Sequence, residues 1–157
     1  MSADETTDRI GAEIEDIETA VREAQDAWGK YKKSDDRHFL NSTVLNIHSF
    51  YLGLERIFKN IAKKIDGDLP EGSHWHRDLL SQMNEERNST RPAVISDSTR
   101  KQLDEYRKFF HVIRNIYGIE LKPARIKHNL NKLEKVWNDV KKELNSFLNF
   151  LKTDENE

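Results

Sequence analysis

The sequence predicts an all-α chain: an antiparallel, up-and-down helical bundle of four long helices plus one short helix. Three observations predict it. Apolar residues recur at spacings of three and four over long stretches, the mark of a helix with one buried face. Punctuation is sparse, three Pro and six Gly in 157 residues, so the elements should be long. There is no convincing strand pattern, so no strand is expected. There is no internal repeat and no linker long enough to split the chain, and residues 1–157 read as a single domain with frayed tails at 1–5 and 153–157. At this length a chain buries roughly 68–70% of its unfolded surface, so one sizeable core is expected without a covalent staple.

The first helix is expected over 6–33, where Ile10, Ile14, Ile17, Val21, Ala24, Trp28 and Tyr31 share one stripe. The charged run KKSDDRH breaks it. A second, over 39–65, carries Val44, Ile47, Tyr51, Leu54, Phe58, Ile61 and Ile65, and DGDLPEG ends it because Gly and Pro are poor continuers. HWHRDLLSQM is a short helix around Trp75, Leu79, Leu80 and Met83. NEERNSTRPAVISDS is polar, contains Pro92 and reads as a loop, with Asp97 or Ser98 placed to cap the next helix. That helix, over 98–117, places Leu103, Tyr106, Phe110, Ile113 and Tyr117 on one stripe and ends near Gly118. Pro123 suits a first helical turn, and the last helix, 123–152, runs through Ile126, Leu130, Leu133, Trp137, Val140, Leu144, Phe147 and Leu151. Core packing is the plain reading of every one of these stripes.

Composition narrows the function classes. Lys and Arg number 26 against 28 Asp and Glu, a net charge of −2, which argues against a bulk polyanion binder and leaves room for a local basic face. There is no Cys, which removes disulfides, thiolate catalysis and every Cys-based metal site. The acidic start MSADETTDRIGAEIEDIE does not have the form of a secretory signal. No apolar run approaches the roughly 20 residues a membrane helix needs. The expected location is the cytoplasm, with no membrane partner.

The common chemical motifs are missing: no phosphate-cradling Gly loop, no GxSxG, no HExxH. His74-Trp75-His76 invites a zinc reading, but histidines two apart diverge on a helix and no third ligand is indicated. A Trp anchor with solvent-facing or capping histidines fits better, so neither a metal nor a cofactor is expected. The 98–117 helix is more informative. At about 100° per residue, Arg100, Arg107, His111 and Arg114 fall on one narrow arc beside the apolar stripe. Arg pairs with phosphate and imidazole moves protons, so this ridge suits a phosphodiester backbone. The plainer alternative is a solvated basic face, partly neutralised by Asp104 and Glu105.

The run LDEYRKFFHVIRNIYGIEL, residues 103–121, resembles the signature helix of the HepT-like branch of the HEPN superfamily. FYLGLERIFKNIAKKIDGDLPEG at 50–72, the WHRDLL that follows and the terminal NSFLNFL are similar too, so the resemblance covers about residues 40–152. It implies an all-α homodimer that serves as the toxin partner of a small nucleotidyltransferase antitoxin. It also implies a metal-independent endoribonuclease whose site is built by one helix from each protomer. The family motif is an Arg, four residues, a His, one residue and a Tyr. Aligned through HVIRNIYG, the Tyr falls on Tyr117, which the resemblance makes the residue the antitoxin modifies with AMP. The His position holds Asn115 and the Arg position Phe110. Asn115 cannot act as a general base, and Phe110 offers a phosphate no charge.

Three readings therefore stand together. In one, His111 with Arg114 carries RNA cleavage while Arg100 and Arg107 bind the RNA backbone. In the second, the chain is a catalytically degenerate HEPN dimer that binds protein or RNA. In the third, it is an unrelated helical adaptor.

Overall fold

The computed structural model describes the backbone of residues 3–115 and 122–155, and side chains within 5–111 and 122–154. It is an all-α bundle of five helices: α1 (Ala3–Ser34), α2 (Arg37–Ile61), α3 (Trp75–Met83), α4 (Asp97–Asn115) and α5 (Pro123–Glu155). Among the described residues there is no strand, only an isolated Arg87–Arg91 bridge inside a turn. No described helix is long and apolar enough to cross a membrane.

Two residues separate α1 from α2, so the helices fold back on one another. Asp36 caps α2 by accepting from the His38 backbone N–H at 2.9 Å. The pair is antiparallel in register. Lys30 lies over the Phe39 ring at 5.9 Å, and the Arg56 guanidinium reaches Glu13 at 3.0 Å. Between these points the helices close to the limit at Gly53, where a Cβ would stand 2.5 Å from Ile17 Cγ1. The helices α4 and α5 form a second antiparallel pair, since Glu143 reaches Ser96 and Thr99 while Asn129 meets Tyr106.

The stripes read from the sequence become the core. Phe50 contacts Tyr106 and Trp137 edge-on, at 5.5 Å and 6.2 Å between ring centroids, which binds α2, α4 and α5 at one point. The polar ends of these rings are satisfied. Tyr106 Oη donates to the Asn129 carbonyl at 2.7 Å, and Trp137 Nε1 donates to Glu18 of α1 at 2.6 Å. Burial pushes the Tyr106 hydroxyl well above its ordinary range, so it stays a donor. Lys141 joins Glu18 at 3.0 Å, and the hydrogen bonds from Lys141 and Trp137 hold that carboxyl below its usual value.

Some details differ from the expectation. The second helix continues past Ile61 as a π turn, Ala62–Asp66, closed by Gly67 at φ 65° with the Asp68 N–H returning to the Ala62 carbonyl at 3.0 Å. The cap of α4 is Ser96 rather than Asp97 or Ser98. Its Oγ accepts from the Thr99 N–H at 3.1 Å, while Asp97 lies in the first turn and pairs with Arg100 and Lys101. Residues 84–96 form a loop, as read, but one with a buried centre. Val94 and Ile95 are in the core, and Arg91 is held by both oxygens of Asp66 at 2.6 and 2.8 Å and by the carbonyls of Gln82, Glu85 and Pro92. This clamp ties the loop to the end of α2 and, through Met83, to α3. It thereby fixes how α3 and α4 enter the bundle.

Candidate functional site: a cavity between α3 and α4

The second half of α4 faces the start of α3 across a cavity of about 330 Å³ lined by Ser73, His74, His76, Arg77, Arg107 and His111. That is near the lower end for small-ligand sites. Leu79, Leu80 and Met83 bury one face of α3 and leave its first turn beside α4. Arg107 and His111 are one helical turn apart and open to the same space. Arg107 Nε donates to Asp104 at 2.6 Å. Burial raises the Asp104 carboxyl, but the hydrogen bond and charge of Arg107, with Lys108, outweigh it and hold it below its usual value. Asp104 thus neutralises part of the basic arc as the sequence suggested. Glu105 does not; it turns toward Lys132 of α5, at 3.4 Å.

The opposite wall is built more tightly. His76 is half-buried, and its Nδ1 lies 2.5 Å from Oε2 of Glu55, a carboxylate of α2 only 4% exposed. The His76 ring stacks on Trp75, centroids 3.5 Å apart, and Lys59 Nζ stands 4.1 Å over the other ring of that stack, Trp75. His76 is therefore neither solvent-facing nor a cap, contrary to the sequence reading. His74 does occupy the residue before α3 but makes no side-chain capping bond. Among the described residues no three His, Asp or Glu converge as a ligand set for a metal ion.

The candidate residues separate clearly. Arg107 and His111 come together. Arg100 lies two turns back along α4, about 10 Å by helix rise, and pairs with Asp97 at 3.0 Å. Phe110 is fully buried, its ring 4.6 Å from His48 and 5.1 Å from Phe109, so this candidate position is part of the core. The backbone of α4 includes Arg114 and Asn115, but their side chains lie outside the described ones, and Tyr117 lies outside the described residues altogether. The sequence alone does not single out Glu55, and His76 reads there as solvent-facing or capping. The available signal was an acid four residues after Tyr51, on the edge of an otherwise apolar stripe.

Two larger hollows lack this combination of groups. One of about 570 Å³ between α1 and α2 is lined by Arg9, Arg56, Lys59, Lys63 and Lys64 around apolar side chains and has no imidazole. One of about 670 Å³ beside the α4 cap is lined by residues of the 92–99 segment and of α5 and likewise has none.

The structure is thus an all-α bundle with imidazole and guanidinium groups gathered at one interhelical cleft. The family follows from comparison: a family model described as HepT-like protein matches residues 42–151, and the chain belongs to the HepT-like HEPN family. Neither the curated proteins nor the solved structures provide a match.

Proposed function

We propose that the chain is the toxin-type component of a toxin–antitoxin pair: a homodimeric, metal-independent endoribonuclease regulated by a small nucleotidyltransferase that modifies Tyr117 with AMP. The observation that carries this reading is the shared cavity of His111 and Arg107, with a further histidine pair and Arg77 across it. RNA cleavage without a metal needs a group to take the 2′-hydroxyl proton and cations to steady the phosphorane charge. His111 is the imidazole α4 contributes. Arg107, and Arg114 three residues beyond His111, are the cations on the same arc of the sequence. The test is cleavage of single-stranded RNA in excess chelator. Wild type should cleave, and His111→Ala should lose most of the rate, about 10²–10⁴-fold for a proton-transfer group, with an unchanged helical spectrum. Undiminished cleavage by His111→Ala would refute the assignment.

The modification arm is tested separately. Co-expression with an adjacent nucleotidyltransferase should add AMP mass to the wild-type chain and none to Tyr117→Phe.

A second reading has an observation of its own. Phe110 fills the core where the family motif carries Arg, and Asn115 replaces the motif His. A HEPN module that binds without cutting would show no cleavage by wild type under any of these conditions, with saturable RNA binding where RNA is its ligand and none where protein is.

A further inference from the structure

His76 has the environment of a working imidazole, and nothing in the family motif accounts for it. A buried carboxylate holds its Nδ1 at 2.5 Å, and Trp75 covers one face of its ring. These two contacts fix both the orientation of the ring and which nitrogen faces the carboxylate. Glu55 itself is 4% exposed and lies on the core side of α2. Burying a carboxylate is costly unless it is paired, so its place is explained by the histidine it holds. His76 and His111 line the same cavity from different helices, and Arg77 and Arg107 line it too.

We propose that His76, positioned by Glu55, is the general acid of this site and works opposite His111 as general base. The pairing rests on the ribonuclease reading above and extends it to a residue outside α4. In the step it describes, His111 accepts the 2′-hydroxyl proton as the 2′-oxygen forms its bond to phosphorus. The bond from phosphorus to the 5′-oxygen breaks, and that oxygen takes a proton from the His76 ring. The products are a 2′,3′-cyclic phosphate and a 5′-hydroxyl, and proton exchange with water resets both rings. The roles divide by position: the Glu55 carboxylate holds His76 Nδ1 on one wall of the cavity, whereas His111 lies on α4 beside the Arg107 guanidinium.

A leaving-group substitution tests the assignment directly. In RNA whose 5′-bridging oxygen is replaced by sulfur, the departing thiolate needs no proton, so loss of the general acid ceases to matter. His76→Gln keeps a donor for Glu55, which protects the fold, but has no proton to transfer. On ordinary RNA in chelator it should cleave about 10²–10⁴-fold more slowly than wild type, and on the sulfur-bridged RNA most of that loss should disappear. Glu55→Gln, acting through His76, should show a smaller loss with the same recovery, while His111→Ala should stay slow on both substrates. Wild-type cleavage of ordinary RNA by His76→Gln, or an equal loss on both substrates, overturns the acid role and leaves the ribonuclease reading intact. Folded wild type inactive on both substrates overturns the ribonuclease reading and this pairing with it.

Discussion

Asp66 and Arg91 bury opposite charges with no exposed side-chain surface on either partner. Burial by itself would raise the Asp66 carboxyl, but the hydrogen bonds from Arg91 and Gln82 and the charges of Arg91 and Arg87 outweigh it and hold it below its ordinary 3.8. A depressed carboxylate contributes stability that is complete above the unfolded value and is lost as pH falls through the folded one. Asp66→Asn should therefore destabilise the chain at neutral pH by about 3–5 kcal/mol, because Arg91 is left buried without its counter-charge. It should also lose less further stability than wild type on acidification to about pH 3. Denaturant unfolding of both proteins at the two pH values checks this, and parallel losses would contradict it. This clamp was not legible in the sequence: NEERNSTRPAVISDS reads as a solvated loop because its composition is polar, and only the tertiary path brings Arg91 to a carboxylate 25 residues earlier. Glu55 and His76, 21 residues apart, were hidden for the same reason. His111 and Arg107 were visible because their proximity is local, one turn of a single helix.

The helices themselves were nearly all legible, since periodicity depends on neighbours three and four apart. What periodicity could not fix were the joints. The α4 cap moved to Ser96 because Glu143 of α5 accepts from the Ser96 N–H at 2.5 Å and from the Thr99 hydroxyl, a partner no local pattern contains. Ser96→Ala should cost about 1 kcal/mol, seen as a lower unfolding midpoint without loss of helix. Gly53 makes the same point for the α1–α2 contact. Helix propensity alone would favour Gly53→Ala by about 0.5–1 kcal/mol. The new methyl would meet Ile17 Cγ1, a branch-point neighbour that cannot simply swing aside, and overpacking of this kind costs about 1–3 kcal/mol. The clash decides the sign, so Gly53→Ala should melt below wild type; a higher melting temperature would show that α1 yields easily.

At the scale of the molecule, three helices build the cavity: α3 brings His76 and Arg77, α2 the buried Glu55 carboxylate that holds His76, and α4 Arg107 and His111 opposite. The Asp66–Arg91 clamp ties the 84–96 loop to the end of α2 and Glu143 holds the start of α4, so the cavity depends on contacts distant in sequence rather than on one motif. Under the proposed function, the chemistry would be shared between α4, through His111 and Arg107, and α3, through His76. The proposed dimer, with α4 near its two-fold axis, should give twice the chain mass by light scattering at micromolar concentration. A single-chain mass throughout would contradict it.

The cavity as the seat of phosphodiester recognition is tested most directly by following the histidine side chains by nitrogen-resolved NMR while a non-cleavable 2′-O-methyl RNA is added. Three of the six histidines, His74, His76 and His111, line the cavity, whereas His38 at the start of α2 and His128 on α5 lie elsewhere. Saturable shifts of the His74, His76 and His111 resonances, with His38 and His128 unmoved, are the result this account predicts. Binding that moves His38 or His128 and leaves the cavity histidines untouched would contradict it.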